Sequence, residues 1–157
     1  MALTDFITKA DYQYQIKTYK LDQITEATDT LLDAAEDEAI GVILEMLAGS
    51  FDMNLEFGKT GNNRNKALLR WVKCLVMYYI YERIPDAMVP ERIIKNYDEA
   101  MAAMNELSDG KKNSTLTRLT EQAVDGTTEP VTKTRWGSQP ARTHGDHSLP
   151  TYNKFNP

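Results

Sequence analysis

The chain has 157 residues, 41% hydrophobic and 26% charged, with a formal net charge of -5, one cysteine and two histidines. That is one domain's worth of ordinary globular composition, and a lone Cys74 excludes an intrachain disulfide and a cysteine-based zinc finger. The longest apolar run, Cys74 to Tyr81, falls far short of the roughly 18 residues a membrane span needs, so no membrane is expected.

Met1 to Asp5 carries no basic region followed by an apolar one, so no signal peptide is expected. Thr8 is placed to cap a short helix running through Asp11 to Ile16, its hydroxyl accepting an orphan backbone N–H. Leu21 to Ile24 reads as a second short turn. A clearer helix follows a cap at Thr28 or Asp29. Leu32, Ala35, Ala39, Val42, Ile43 and Met46 form one apolar stripe, and Gly49 and Ser50 end it. Asp29, Asp33, Glu36, Asp37 and Glu38 load its first half with negative charge, which suits the positive end of the helix dipole and reads as a solvated helix start. Gly41 inside this helix costs up to about 1 kcal/mol relative to Ala, and a close helix–helix approach is the expected reason for it.

Phe51, Met53, Leu55 and Phe57 alternate with Asp52, Asn54 and Glu56, so the connection through Asn63 is expected to be a short strand or an extended loop. The strongest helix runs from about Asn63 to Ile84. Leu68, Val72, Leu75, Val76, Tyr79 and Ile80, joined by Leu69, Trp71 and Met77, make a face wide enough for a central helix covered on several sides. Pro85 stops it. The last helix follows Pro90, with Ile94, Tyr97, Met101 and Met104 on one face and Ile93, Ala100 and Leu107 alongside, and Gly110 as its left-handed cap. The methionines, Met46, Met77, Met88, Met101 and Met104 among them, read as core filler.

Composition and charge both change after Asp109. Residues 1–109 carry 11 Lys and Arg against 19 Asp and Glu, while residues 110–157 carry 7 against 4. Four of the six prolines and a run of threonines lie in the second part, where helical period disappears. The expected architecture is all-α: a bundle of three main helices with a short N-terminal helical segment over residues 1–109, and a long extended Thr/Pro/Gly-rich C-terminal arm over residues 110–157. The arm carries large aromatics between cations, Thr134-Arg135-Trp136-Gly137 and Arg142, then Tyr152 and Phe155. Disordered tails are usually poor in such residues, so Arg135, Trp136, Arg142, Tyr152 and Phe155 are the candidate partner-binding anchors. Trp71, Tyr78 and Tyr81 are candidate subunit-interface residues, because adjacent tyrosines cannot share one helix face and Tyr is enriched at interfaces.

No constellation selects an enzyme, a cofactor or a metal. Gly58-Lys59-Thr60-Gly61 lacks the spacing of a phosphate loop, and His144 with His147 has no second cluster to complete a metal site. Cys74 sits among apolar neighbours and reads as a buried inert thiol. Paired carboxylates could serve a small enzyme, but nothing picks out a pair.

The order of elements resembles the head–tail connector (adaptor, or head-completion) proteins of tailed bacteriophages. The resemblance is carried by the helix with Thr30-Leu31-Leu32-Asp33-Ala34-Ala35-Glu36-Asp37-Glu38-Ala39-Ile40, the Gly/Asn-rich connection, the long helix from Leu68 to Ile84, and the closing helix from Glu91 to Leu107 with Tyr97-Asp98-Glu99-Ala100. It covers roughly residues 5–110 and rests on pattern and length. It implies a structural, non-catalytic virion protein: a homo-oligomeric ring, typically a dodecamer, at the portal–tail junction. The portal protein and downstream tail or ring proteins are the implied partners, with DNA passing transiently through the channel. The protein would reside in the virion at that junction, and in the host cytoplasm during assembly. An acidic body also suits a channel through which DNA slides. The alternative is a small helical regulatory or DNA-binding module with a disordered tail, for which Arg64, Lys66, Arg70 and Lys73 on the long helix are the candidate contacts.

Overall fold

The computed structural model describes residues 6–84, 88–122 and 128–130. Three long helices fall where the apolar stripes place them. They are α2 (Asp29–Leu47), α4 (Lys66–Glu82) and α5 (Glu91–Ser108), and each packs against the other two. A 3-10 segment (Lys9–Tyr14), α1 (Thr18–Ile24) and a one-turn α3 (Met53–Phe57) accompany them. Antiparallel strands β1 (Thr120–Gln122) and β2 (Thr128–Pro130) follow, paired Thr120 to Pro130 and Gln122 to Thr128. The fold is therefore mainly helical, as expected.

The central helix is α4. Leu68, Leu69, Trp71, Val72, Cys74, Leu75, Val76, Met77 and Ile80 are all buried, so it is covered on more than one side. Its start is two to three residues later than the sequence suggests, because the Asn65 side chain accepts from the N–H groups of Ala67 and Leu68. Against it α2 lays Leu32, Ala35, Ala39, Ile40, Ile43 and Leu47, and α5 lays Ile93, Ala100, Met104 and Leu107. Each fully buried Leu, Ile or Met of this core contributes roughly 1.5–3 kcal/mol. On α5 the true inner face is centred on Ile93 and Met104; Ile94, expected with them, is 40% exposed. Gly110, at φ +70°, closes α5 as anticipated, with its N–H on the Leu107 carbonyl and the next N–H on that of Glu106.

Several expectations are corrected. The connection after α2 is not an extended stretch. Only Phe51 behaves as strand, in an antiparallel bridge to Arg118. Asp52 then caps α3 through the Leu55 N–H, and Met53, Glu56 and Phe57 turn inward at helical spacing. Period 2 and period 3.6 both fit a segment this short, and the cap decides. Gly41 has no helix against it: a methyl group built there meets nothing within 4 Å. Met88 is 94% exposed and fills no core. Thr8 is the N-cap of the 3-10 segment as expected, but its hydroxyl and N–H both donate to Asp11 Oδ2, at 2.8 and 2.9 Å.

The body also extends past Asp109. Leu116 is buried in the main core, the Asp52 N–H donates to the Thr117 carbonyl, and the Leu119 N–H donates to that of Ser50. The chain after α5 thus returns across the α2–α3 junction before it reaches β1. Backbone pairing needs no helical period, so the loss of period after α5 does not mean a loss of packing.

Candidate functional site

Two polar clasps tie the non-helical ends of the described chain to the bundle. The first holds the N-terminal segment. Arg64, just before α4, forms a two-pronged ion pair with Asp11, its Nη1 2.7 Å from Oδ2 and its Nη2 3.1 Å from Oδ1. Nη1 also donates to the Phe6 carbonyl at 2.8 Å, and Lys73 Nζ donates to the Asp11 carbonyl. Burial works against the Asp11 charge, but the hydrogen bonds from Arg64 and Thr8 outweigh it and hold the carboxyl at about 2. One residue on, the Tyr12 hydroxyl donates to Glu36 Oε1 at 2.8 Å inside the core. Burial, with Asp33, Asp37 and Asp11 nearby, pushes Glu36 up to about 7 despite that hydrogen bond. Burial and the same carboxylate push the Tyr12 phenol upward.

The second clasp holds the returning chain. Glu56 is fully buried, and its Oε1 accepts from Lys59 Nζ (2.6 Å), the Thr117 N–H (2.9 Å) and the Thr117 hydroxyl (2.7 Å). Its Oε2 is buried with no donor among the described residues. Burial opposes the charge here too, yet the Lys59 and Thr117 bonds lower its pKa. Asn65 adds a bond to the Thr115 hydroxyl.

Of the expected interface residues, Trp71 is 9% exposed and belongs to the core cluster, so a body of this size does bury it. Its edge lines a groove of about 430 Å³ between α4 and α5, with Ala67, Arg70, Glu99, Ala100 and Leu107. Tyr78 is half-buried and stacks on Tyr97 of α5, ring centres 4.2 Å apart and 24° from parallel. Tyr79 meets both rings edge-on; burial, Tyr97 and Glu38 push its phenol up to about 12. Tyr81 is half-buried. The structure therefore gathers Tyr78, Tyr79 and Tyr97 into one cluster and leaves Trp71 apart from it. Arg135, Trp136, Arg142, Tyr152 and Phe155, with His144 and His147, lie outside the described residues.

Cys74 is buried and its thiol is pushed up by burial, with Gln15 Nε2 3.8 Å from the sulfur. Among the described residues no group of three or more His, Cys, Asp or Glu is arranged to hold a metal ion, and no helix is long and apolar enough to cross a membrane. Glu36, expected on the solvated start of α2, is instead buried, and Arg64, a candidate DNA contact, is held by Asp11; the structural roles of Asp11 and Glu56 carry no expectation from the sequence. Glu36 had a visible signal, since it sits inside the apolar stripe between Leu32 and Ile40 rather than on the solvated face. Arg64 and Asp11 are 53 positions apart, and no local pattern joins them.

The family model described as Bacteriophage Mu, Gp36 matches residues 6–132 of the chain. In the same comparisons no curated protein and no solved structure matched.

Proposed function

The chain belongs to the bacteriophage Mu Gp36 family and is a bacteriophage protein, which points to a structural or assembly role; on that premise we propose that it is one subunit of a ring at the head–tail junction, linking portal to tail and lining the DNA channel, without turnover chemistry. The family match carries this reading. The architecture supports it: a small helical body whose own ends are tied in place by charged side chains, partly buried Asp11 with Arg64 and fully buried Glu56 with Thr117. In this proposal the portal protein and a downstream tail or ring protein are the neighbours. The C-terminal residues Arg135, Trp136 and Arg142, with Tyr152 and Phe155 as secondary anchors, make the attachment, Trp136 as the apolar anchor and the guanidiniums pairing with carboxylates. The protein resides in the virion at that joint and in the host cytoplasm beforehand.

The DNA-binding alternative is weakened by one observation. Arg64 and Lys73 face inward onto Asp11, and α4 is the most covered helix of the bundle, so the candidate recognition helix offers only Lys66 and Arg70 outward. The test is electron microscopy of the purified protein, alone and with portal-bearing heads that lack it, paired with co-sedimentation of Trp136→Ala and of a chain truncated after Lys112. Rings seated on the portal vertex, with attachment lost in both variants, are expected. Absence of the protein from purified virions would overturn the reading.

A further inference from the structure

Between Asp11 and the start of α1 the chain is held by few contacts. Tyr12 and Ile16 are the buried side chains there, while Gln13 and Lys17 are exposed and Tyr14 is 95% exposed. The Gln15 and Ile16 N–H groups both donate to the Tyr12 carbonyl, so the end of this stretch hangs from Tyr12. Its 3-10 geometry makes poorer hydrogen bonds than an α-helix does. The residue before it is fixed: Arg64 grips the Asp11 carboxylate, and Lys73 Nζ holds the Asp11 carbonyl. Cys74, the one thiol of the chain, lies beneath the far end. It is 3% exposed, Gln15 Nε2 is 3.8 Å from its sulfur, and Gln15 walls a small cavity beside it with Met77, Arg92 and Ile93.

Tyr12 is seated on Glu36, and Glu36 has no counter-charge. It is 4% exposed, its donor is the neutral Tyr12 hydroxyl, and no cation pairs with it among the described residues. The cations of the surrounding elements are engaged elsewhere. Lys9 is on Asp22 of α1 and Asp29 of α2, Arg64 on Asp11, Lys73 of α4 on the Asp11 carbonyl, and Arg92 of α5 on the Gln15 carbonyl. Asp33 and Asp37 on its own helix, and Asp11 across from it, add negative charge. A buried carboxylate in that company is costly to ionise where it stands, and the same causes place Glu36 at about 7.

We propose that Tyr12 to Ile16 is a strap that lifts off the bundle when Glu36 loses its proton, turning on the Arg64–Asp11 pair and baring Cys74. Once Tyr12 withdraws, water reaches the Glu36 carboxylate and the proton passes to solvent. In the open form Glu36 has its ordinary acidity, and in the closed form a raised one. The closed form is therefore fully favoured below about pH 4.5. It loses about tenfold per pH unit as pH rises from there, and the loss levels off above about pH 7, at about a hundredfold in all. Asp11 keeps its charge throughout this range, its carboxyl being held at about 2, so the hinge does not titrate with the strap. The helices keep their packing, and the opening is local. The device is independent of the ring reading.

Alkylation of Cys74 by iodoacetamide in the full chain tests it. The rate at each pH is divided by that of the same chain unfolded in urea, which removes the titration of the thiol itself. From about pH 5 the ratio is expected to rise up to about a hundredfold and to level off above about pH 7. Dilute urea should barely change it, and the Leu75 and Val76 amides should stay protected from hydrogen exchange. Glu36→Gln has nothing to titrate and should give a flat ratio. Asp33→Asn with Asp37→Asn, both at exposed positions, should shrink the rise and bring the plateau to lower pH, because less negative charge then opposes ionisation. A flat ratio in the wild-type chain, a rise in Glu36→Gln equal to that of the wild type, or an unchanged rise in the double asparagine variant would each overturn the proposal. So would a urea dependence equal to that of global unfolding, since Cys74 would then be bared by loss of the whole fold.

Discussion

Glu36 and Glu56 are both buried glutamates that hold an end of the chain onto the bundle, yet their acidities move in opposite directions. At the N-terminal clasp Glu36 meets a neutral donor, Tyr12, with Asp33, Asp37 and Asp11 close by, and its pKa rises to about 7. At the C-terminal clasp Glu56 meets a cation and two further donors, and its pKa falls. Burial pushes both upward; the donors decide the outcome. A buried carboxylate opposite an ammonium and a backbone N–H stays ionised and ties its segment firmly. One opposite a phenol in acidic company holds best when protonated. The end after α5 is therefore fastened by a charge, and the N-terminal end by a divided arrangement in which Asp11 is ionised and Glu36 is poised near neutrality.

The comparison breaks most visibly at Glu56. Glu56→Ala leaves the Thr117 N–H and hydroxyl without their acceptor and Lys59 without its partner, and is expected to cost about 3 kcal/mol. Urea unfolding measures the loss, and hydrogen exchange should show the Thr117 and Leu119 amides opening ahead of α4. At the other end, Arg64→Ala removes the two-pronged pair and uncaps the Phe6 carbonyl, for an expected loss of about 2 kcal/mol. Arg64→Lys should recover less than half of it, because an ammonium cannot span both carboxylate oxygens. Thermal melts of the three proteins side by side decide this.

The contrast between the glutamates also fixes a pH profile. The folded pKa of Glu36 lies above its ordinary value of 4.5. Its contribution is thus complete below about pH 4.5 and is lost as pH rises through about 7. Asp11 and Glu56 have folded pKa values below their ordinary ones, so their contributions are present above about pH 4 and are lost on further acidification, for Asp11 down to about 2. Stability is expected to peak between about pH 4 and 5. Glu36→Gln keeps an acceptor for Tyr12 and removes the titration, so it should gain about 1–2 kcal/mol at pH 8 and almost nothing at pH 5. Equal effects at both pH values would show that Glu36 is not the group that titrates. The finest probe is Thr117→Val, which deletes one of three donors to Glu56 and keeps the N–H. A loss of about 1 kcal/mol, with no change in the alkaline limb of the profile, is expected from calorimetry at pH 5 and pH 8.

The helices α2, α4 and α5 were legible in the linear sequence because each must bury one stripe, and a stripe of period 3.6 is written in the order of residues. Pro90 and Gly110 marked the ends of α5 for equally local reasons, the first fixing φ and the second accepting a positive one. Where two periods fit, as from Phe51 to Phe57, order alone did not choose, and the Asp52 cap with the bridge to Arg118 did. Exposure of single aromatics was likewise a tertiary matter: Trp71 is covered by neighbours it does not adjoin in sequence, and Tyr78 by Tyr97. The Arg64–Asp11 pair and the Glu56–Thr117 clasp join residues 53 and 61 positions apart. Periodicity records which face of an element avoids water, and the sequence by itself determined that much. Which distant charge meets which, and which apolar side chains remain in water at Tyr14 and Met88, depends on how those faces stack, and only the tertiary structure decided it.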